Sequence, residues 1–292
     1  MTKDTPAPGI YEKITFDEYC RWDAINNSSL GPALISAAHY RAYLDEPRTV
    51  SDALRFGTLV HAGKLDPKDL LNGYAVMPDF TQNLSKEFSN PKGSKEYKER
   101  VAAWTEQNKT KEIVEQVEFD LMAAIVAALD NEPLARDCFS HNGPAEVSMI
   151  WEDARTGLLC KGRIDKLDHK KNRFADLKTA RSLHDYCKEI LNRGYHRQAA
   201  FYSDGLYQLT GEKYEPWIVP VEKTPPFAVA AAPVGEQALS VGRSEYRQAL
   251  QLIKDCKRTG NYPSVPSPSE WTLPEWAIPK LTLTGASGPI TL

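Results

Sequence analysis

Asp165, Asp176 and Lys178 are the residues whose types and spacing point most directly to chemistry, within Lys161-Gly-Arg-Ile-Asp165 and Asp176-Leu-Lys178. A D-x-K triplet alone carries no information, because it arises about once in a chain of this length at ordinary residue frequencies. Here it occurs at Asp66–Lys68, Asp168–Lys170, Asp176–Lys178 and Asp255–Lys257. Context separates them. Phe174 to Thr179 reads as a β-strand, where residues two apart emerge on one face, whereas the other three sit in helical or turn contexts. If the strand ending near Asp168 returns through a loop centred between Lys170 and Lys171, Asp165 falls opposite Asp176, about 5 Å away across the ladder. Like charges so placed repel, and a hard divalent cation is the natural counter-charge. Two carboxylates holding such an ion beside a lysine have the parts that phosphodiester hydrolysis needs. The ion binds a phosphate oxygen and acidifies an attacking water, while the lysine offsets charge on the reacting phosphate. An ion-pair cluster on a solvated sheet face is the competing reading of these three residues taken alone.

Other residues bear on the same chemistry. His61 closes Gly57-Thr-Leu-Val-His61 on a predicted helix, and Glu146 opens a strand before the hairpin. Gln198 and Tyr202 lie at i and i+4 on one helical face. Arg163 shares a strand face with Asp165, and the hydroxyls of Ser28 and Ser29 stand at a predicted helix N-terminus, so these three are candidate phosphate anchors.

The elements that must position these residues can be read from periodicity and turn signals. Residues 15–130 read as largely helical: a short segment at Thr15–Asp23, a helix from the Ser28-Ser29 caps to about Leu44 ended by Pro47, one from Ser51 to Lys64, and a long one from about Tyr97 to Leu129. Gly57 inside the second is costly unless something packs close to it. Residues 79–98 are polar and loop-like. Strands follow near Glu146–Trp151, Leu158–Leu167 and Phe174–Thr179, then helices at Ser182–Asn192 and Tyr195–Leu209. Strands near Trp217–Val221 and Phe227–Ala232 and a helix from Ala238 to Arg258 complete a sheet core over 144–260. One domain over 1–260 and a proline-rich tail over 261–292, extended or partly disordered, are expected, with an α/β architecture of a mixed sheet flanked by helices.

Composition sets limits. With 36 Lys+Arg, 39 Asp+Glu and a net charge of −3, the 292-residue chain cannot coat nucleic acid through bulk charge. Residues 161–197, however, hold eleven Lys+Arg against five Asp+Glu, a basic strip suited to phosphate contacts. No apolar run is long enough to span a bilayer and no signal peptide opens the chain, so a cytoplasmic protein with no membrane partner is expected. Five cysteines without a C-x-x-C pair indicate reduced, mostly buried thiols rather than a metal cage or disulfides. No G-x-x-x-x-G-K-[ST] occurs, so no nucleotide cofactor is expected.

Taken in order, Gly57–His61, Gly162-Arg-Ile-Asp165, Asp176-Leu-Lys178 and Gln198–Tyr202 resemble the RecB-like branch of the PD-(D/E)xK nuclease superfamily. Within it, Ser28-Ser-Leu, Ala37-Ala-His-Tyr-Arg-Ala-Tyr-Leu-Asp-Glu-Pro47 and Leu54-Arg-Phe-Gly-Thr-Leu-Val-His61 look like the exonuclease VIII type of phages and prophages. The resemblance covers about residues 25–260 and implies a restriction-endonuclease-like core. It also implies Mg²⁺-dependent digestion of double-stranded DNA from its ends, with Mn²⁺ as a substitute. By position His61, Asp165, Asp176 and the carbonyl of Leu177 match metal ligands, Lys178 the catalytic lysine, and Gln198 and Tyr202 the supporting, strand-contacting motif. The cysteine spacing departs from the branch members that carry an iron–sulfur cluster, so none is expected. A 5′→3′ polarity, a ring-shaped homo-oligomer and service to recombination through a single-strand annealing protein also come with the resemblance. Trp271 and Trp276 are candidates for docking that partner or for packing on the chain's own core. Rival readings are a RecB-type nuclease of other polarity or endonucleolytic habit, and a non-catalytic DNA-binding or assembly protein on the same fold.

Overall fold

The computed structural model describes residues 5–46, 51–81, 91–140, 143–273, 282–285 and 288–291. The chain begins with β1 (Gly9–Tyr11), α1 (Phe16–Arg21), α2 (Asn27–Ile35), α3 (Ala37–Asp45), α4 (Asp52–Leu65), α5 (Leu70–Gly73) and β2 (Tyr74–Met77). There follow α6 (Lys95–Gln107), β3 (Glu112–Glu115), α7 (Gln116–Asn131), α8 (Pro133–Cys138), β4 (Ala145–Glu152), β5 (Leu159–Asp168) and β6 (Arg173–Ala180). Then come α9 (Tyr186–Asn192), α10 (Tyr195–Thr210), β7 (Glu215–Glu222), β8 (Ala232–Pro233), α11 (Glu236–Thr259) and the pair β9 (Thr282–Gly285) and β10 (Gly288–Thr291).

Six strands form one mixed sheet in the order β1-β4-β5-β6-β7-β8, antiparallel except for β6 against β7. One apolar cluster packs α2, α10 and α11 on Val147, Met149, Trp151 and Ile164. A second packs α4, α7 and α8 on Ala175, Leu177, Val219 and Val221. Helices therefore flank the sheet as expected. α10 and α11 approach closely at Gly242, where a Cβ would come within 2.5 Å of the His196 carbonyl oxygen.

The hairpin keeps the expected register but not its expected length. Lys166 pairs with Ala175, Leu167 with Phe174 and Asp168 with Arg173, so the loop is centred between Lys170 and Lys171. Pairing stops there, one step short of Asp165 and Asp176, and the strands fork. β5 continues on β4 while β6 continues in parallel on β7. Two facing carboxylates disfavour further ladder. The Asp165 carboxylate itself accepts the Leu177 N–H at 2.7 Å, taking the place of a backbone carbonyl. The edge of β5 that β6 leaves is filled by Ile25, whose N–H donates to the Leu159 carbonyl at 2.9 Å and whose carbonyl accepts from Lys161 N–H at 2.7 Å.

Elsewhere the structure corrects the sequence reading. The helix expected from Ser28 to Leu44 is two: Asn26, not Ser28 or Ser29, caps α2, and Ser36 in extended conformation ends α2 and caps α3. Pro47 lies outside the described residues. The long helix from Tyr97 to Leu129 is broken by Asn108-Lys-Thr, after which Ile113 and Val114 join β3 in parallel with β2. A short apolar run fits either period, and its β-branched residues decide it. The strand expected at Phe227–Ala232 shrinks to β8 and a bridge between Val221 and Val229. Pro225, Pro226 and Pro233 supply no ladder N–H there. β9 and β10 form an antiparallel pair in a tail whose composition predicts an extended or partly disordered chain. Trp271 is 93% exposed and so does not pack on the core; Trp276 lies outside the described residues.

Candidate active site

The fork at Asp165 and Asp176 opens into a cleft of about 600 Å³, walled by α4, β6 and the starts of α1 and α10. Ser51 caps α4 by accepting the Leu54 N–H, and α4 packs on α7, where a Cβ at Gly63 would strike Met122. That helix aims His61 at the fork. Its Nε2 lies 2.9 Å from the Leu177 carbonyl oxygen and its Nδ1 3.6 Å from Asp165 Oδ2. Gly57, one turn earlier, is not sterically required, since a Cβ there would meet Thr179 Oγ1 at an ordinary 3.6 Å.

Glu146 faces the same point from β4. The β4–β5 ladder pairs Ala145 with Lys166 and Val147 with Ile164, skipping Glu146 and Asp165 between them. Glu146 has φ of +55°, a conformation that costs an L-residue about 1–3 kcal/mol and persists only where its surroundings impose it. Arg163 helps to do so, donating from Nε to Glu146 Oε2 at 2.5 Å and from Nη1 to the Ile14 carbonyl and Ser148 Oγ at 2.9 and 3.1 Å. His61, Glu146 and Asp165 each offer a ligand atom within 4.8 Å of the others.

Asp176 sits on the other branch of the fork. One carboxylate oxygen accepts from Gln198 Nε2 at 3.0 Å, and the other pairs with the Lys178 ammonium. Lys178 Nζ also lies 4.8 Å from the centre of the Tyr195 ring. Tyr195, Gln198 and Tyr202 occupy positions i, i+3 and i+7 of α10, so a single helix face braces the branch. Tyr202 is buried and packs on Gly162, where a Cβ would come within 2.7 Å of its ring and 2.8 Å of Met149. Gly162→Ala is therefore expected to destabilise the fold by about 1–3 kcal/mol and to displace Tyr202; denaturant midpoints and tyrosine fluorescence of the two proteins check this.

Burial raises the Asp165 carboxyl to about 7; His61 pulls it down, Asp176 pushes it up, Lys178 pulls it down and Glu146 pushes it up. Burial works against the charged form of Lys178, but Asp176 and Asp165 outweigh it and hold the ammonium above its ordinary range. Burial moves the Tyr202 phenol up to about 12, which keeps it neutral. Asp165, Asp176 and Glu146 thus gather at one place where, among the described residues, Lys178 and Arg163 offset them. That excess of carboxylate, with an imidazole and a carbonyl at hand, fits a divalent cation. His61, Glu146, Asp165 and the Leu177 carbonyl would hold it, with Asp176 alongside.

The remaining candidates lie apart from the cleft or are already engaged. Ser29 is buried and donates its hydroxyl to the Asn26 carbonyl, Ser28 is exposed, and neither lines the cleft. The basic strip is largely committed. Lys161 is buried on the carbonyls of Tyr19, Cys20 and Trp22, Lys166 on that of Gly143, and Arg173 on Asp137. Sequence reasoning overlooked Tyr195 and Phe16, both of which line the cleft, Phe16 with 60% of its surface exposed. Tyr195 was available from its helical spacing to Gln198. Phe16 carried no signal.

A model of a PDDEXK-like domain of unknown function, DUF3799, matches residues 27–268. The chain belongs to this PDDEXK-like family. Among solved structures, a "putative exonuclease" from Eubacterium rectale matches with a TM-score of 0.56 at 16% identity, covering 88% of this chain and 96% of that one. A second, designated SSO0001, covers 80% of this chain and 86% of its own at 13% identity, but its TM-score of 0.30 carries no argument. A search of curated proteins gives no match. Family, fold and site together support a nuclease. Among the described residues no helix is long and apolar enough to cross a membrane.

Proposed function

We propose that this protein is a Mg²⁺-dependent exodeoxyribonuclease that degrades linear double-stranded DNA from its ends, 5′→3′, leaving 3′ single strands for recombination. The observation that carries this reading is the convergence of His61, Glu146, Asp165 and Lys178 on one cleft at the fork of a hairpin, with Asp176 behind it paired to Lys178. Likeness in fold to the Eubacterium rectale protein described as a "putative exonuclease" supports an exonuclease over an endonuclease.

A divalent ion bound at this donor set would neutralise a phosphate oxygen and lower the pKa of an attacking water. The protein's own contribution is positional. Asp165 and Glu146 carry the negative charge that retains the cation, and His61 contributes an imidazole nitrogen. The Lys178 ammonium, kept protonated by Asp176 and Asp165, faces the cleft where charge builds on the phosphate in the transition state. Gln198 fixes one oxygen of Asp176, which leaves the second for Lys178 or the cation. Mn²⁺ substitutes for Mg²⁺ in this scheme, and neither an iron–sulfur cluster nor a nucleotide is required. A ring of identical subunits in the cytoplasm, handing its product to a single-strand annealing protein, completes the proposal.

Doubly labelled duplexes test the polarity. The 5′ label should be released as mononucleotide early while the 3′ label stays in long strands, and covalently closed circles should persist. Early loss of the 3′ label would reverse the polarity. Nicking of closed circles would establish an endonuclease instead.

A further inference from the structure

Among the described residues Lys178 meets groups of two different kinds: the carboxylate of Asp176 and the face of the Tyr195 ring, 4.8 Å from Nζ. We propose that Tyr195 is the positioning residue that holds the Lys178 ammonium on the cleft through a cation–π contact, and that its hold is independent of metal loading. The inference rests on the nuclease reading of the same site.

Asp176 cannot serve this purpose alone. A carboxylate shared between a divalent cation and an ammonium holds each less firmly, so the contact with Asp176 weakens when the cleft is charged with metal. The ring differs. Its negative face attracts an ammonium, and an uncharged ring neither neutralises a hard cation nor ligates it. Its backbone position is set by a helix start. Tyr195 is the first residue of α10, directly after Gly194, which takes φ of +67° to link α9 to α10 and donates its N–H to the Leu191 carbonyl at 3.0 Å. The ring lines the cleft on one side and, on the other, a small cavity shared with Asp176, Gln198 and Tyr202. Tyr195 therefore forms a wall behind the lysine.

The test is a series at position 195 read by kinetics and by NMR. Tyr195→Phe keeps the ring and is expected to retain kcat within about twofold. Tyr195→Leu is expected to lower kcat about tenfold with KM nearly unchanged, the range of a desolvated cation–π contact. Progressive fluorination of a phenylalanine introduced at this position preserves shape while removing the negative ring face, and kcat should fall step by step. In lysine-labelled protein without substrate, the Lys178 side-chain protons nearest the ammonium should be shifted upfield by the ring. That shift should survive addition of Mg²⁺ and vanish in Tyr195→Leu. Unshifted resonances, a shift abolished by Mg²⁺, or turnover indifferent to fluorination would overturn the proposal. An inactive wild type would defeat the nuclease reading instead, and the NMR result would still decide the contact.

Discussion

Lys178→Ala is expected to cut kcat on linear duplex DNA by roughly 10²–10³-fold, the effect of removing one preorganised charge-stabilising donor. Metal affinity should not fall. Lys178 and the cation compete for the same carboxylate, so losing the ammonium frees Asp176 and is expected to tighten metal binding. The combination of slower turnover and tighter metal separates a transition-state role from a structural one. Titration calorimetry with Mg²⁺ and single-turnover cleavage measure the two halves. Near-normal turnover in the variant would remove Lys178 from catalysis.

Asp165→Asn is expected to have the larger effect, abolishing metal-dependent cleavage. Asparagine is the informative replacement, because its side-chain oxygen can still accept the Leu177 N–H that Asp165 accepts at 2.7 Å. Alanine would leave that buried donor unpaired at a cost of about 1–3 kcal/mol and confuse stability with function. Loss of activity should be accompanied by a gain in metal-free stability. The Asp165 carboxyl is raised from 3.8 to about 7 in the fold. The folded protein therefore binds the proton more tightly than the unfolded chain, so ionising this group destabilises the metal-free fold progressively as pH rises from about 4 to about 7. Asparagine removes that penalty. Thermal melts at pH 5 and pH 8, with and without Mg²⁺, should show the wild type losing more stability than the variant at the higher pH and recovering it with metal. A wild type whose metal-free stability does not depend on pH across this window would show that Asp165 is not held under charge repulsion.

The hairpin register was legible from the loop position alone, since three pairs lie where the centre between Lys170 and Lys171 puts them. Its fork was not. Alternation says which face a residue takes but not where a ladder ends, and here the ending depends on side-chain charges and on Ile25 arriving from 134 positions before Leu159. The set Asp165, Asp176, Lys178 and His61 could be assembled from motifs, and the structure brings these residues together. Glu146 was visible only as a strand carboxylate. Its proximity to His61 and Asp165 depends on the positive φ and on Arg163, which sequence patterning does not encode. Arg163 looked like a free phosphate anchor from its strand position, whereas its guanidinium bonds Glu146, Ile14 and Ser148. Local charge counts failed at the basic strip for a related reason: they cannot tell a lysine that faces solvent from Lys161, whose ammonium caps the carbonyl end of α1.

A metal-dependent DNA-cleaving site at the forked hairpin requires both the Asp176 carboxylate and a divalent cation. Its most direct test is the release of acid-soluble nucleotides from linear duplex DNA by the wild type and by Asp176→Ala, each with Mg²⁺ and with EDTA. The wild type should release nucleotides rapidly in Mg²⁺ alone, and the variant almost none in either condition. Equal release by the two proteins, or release undiminished by EDTA, would contradict this.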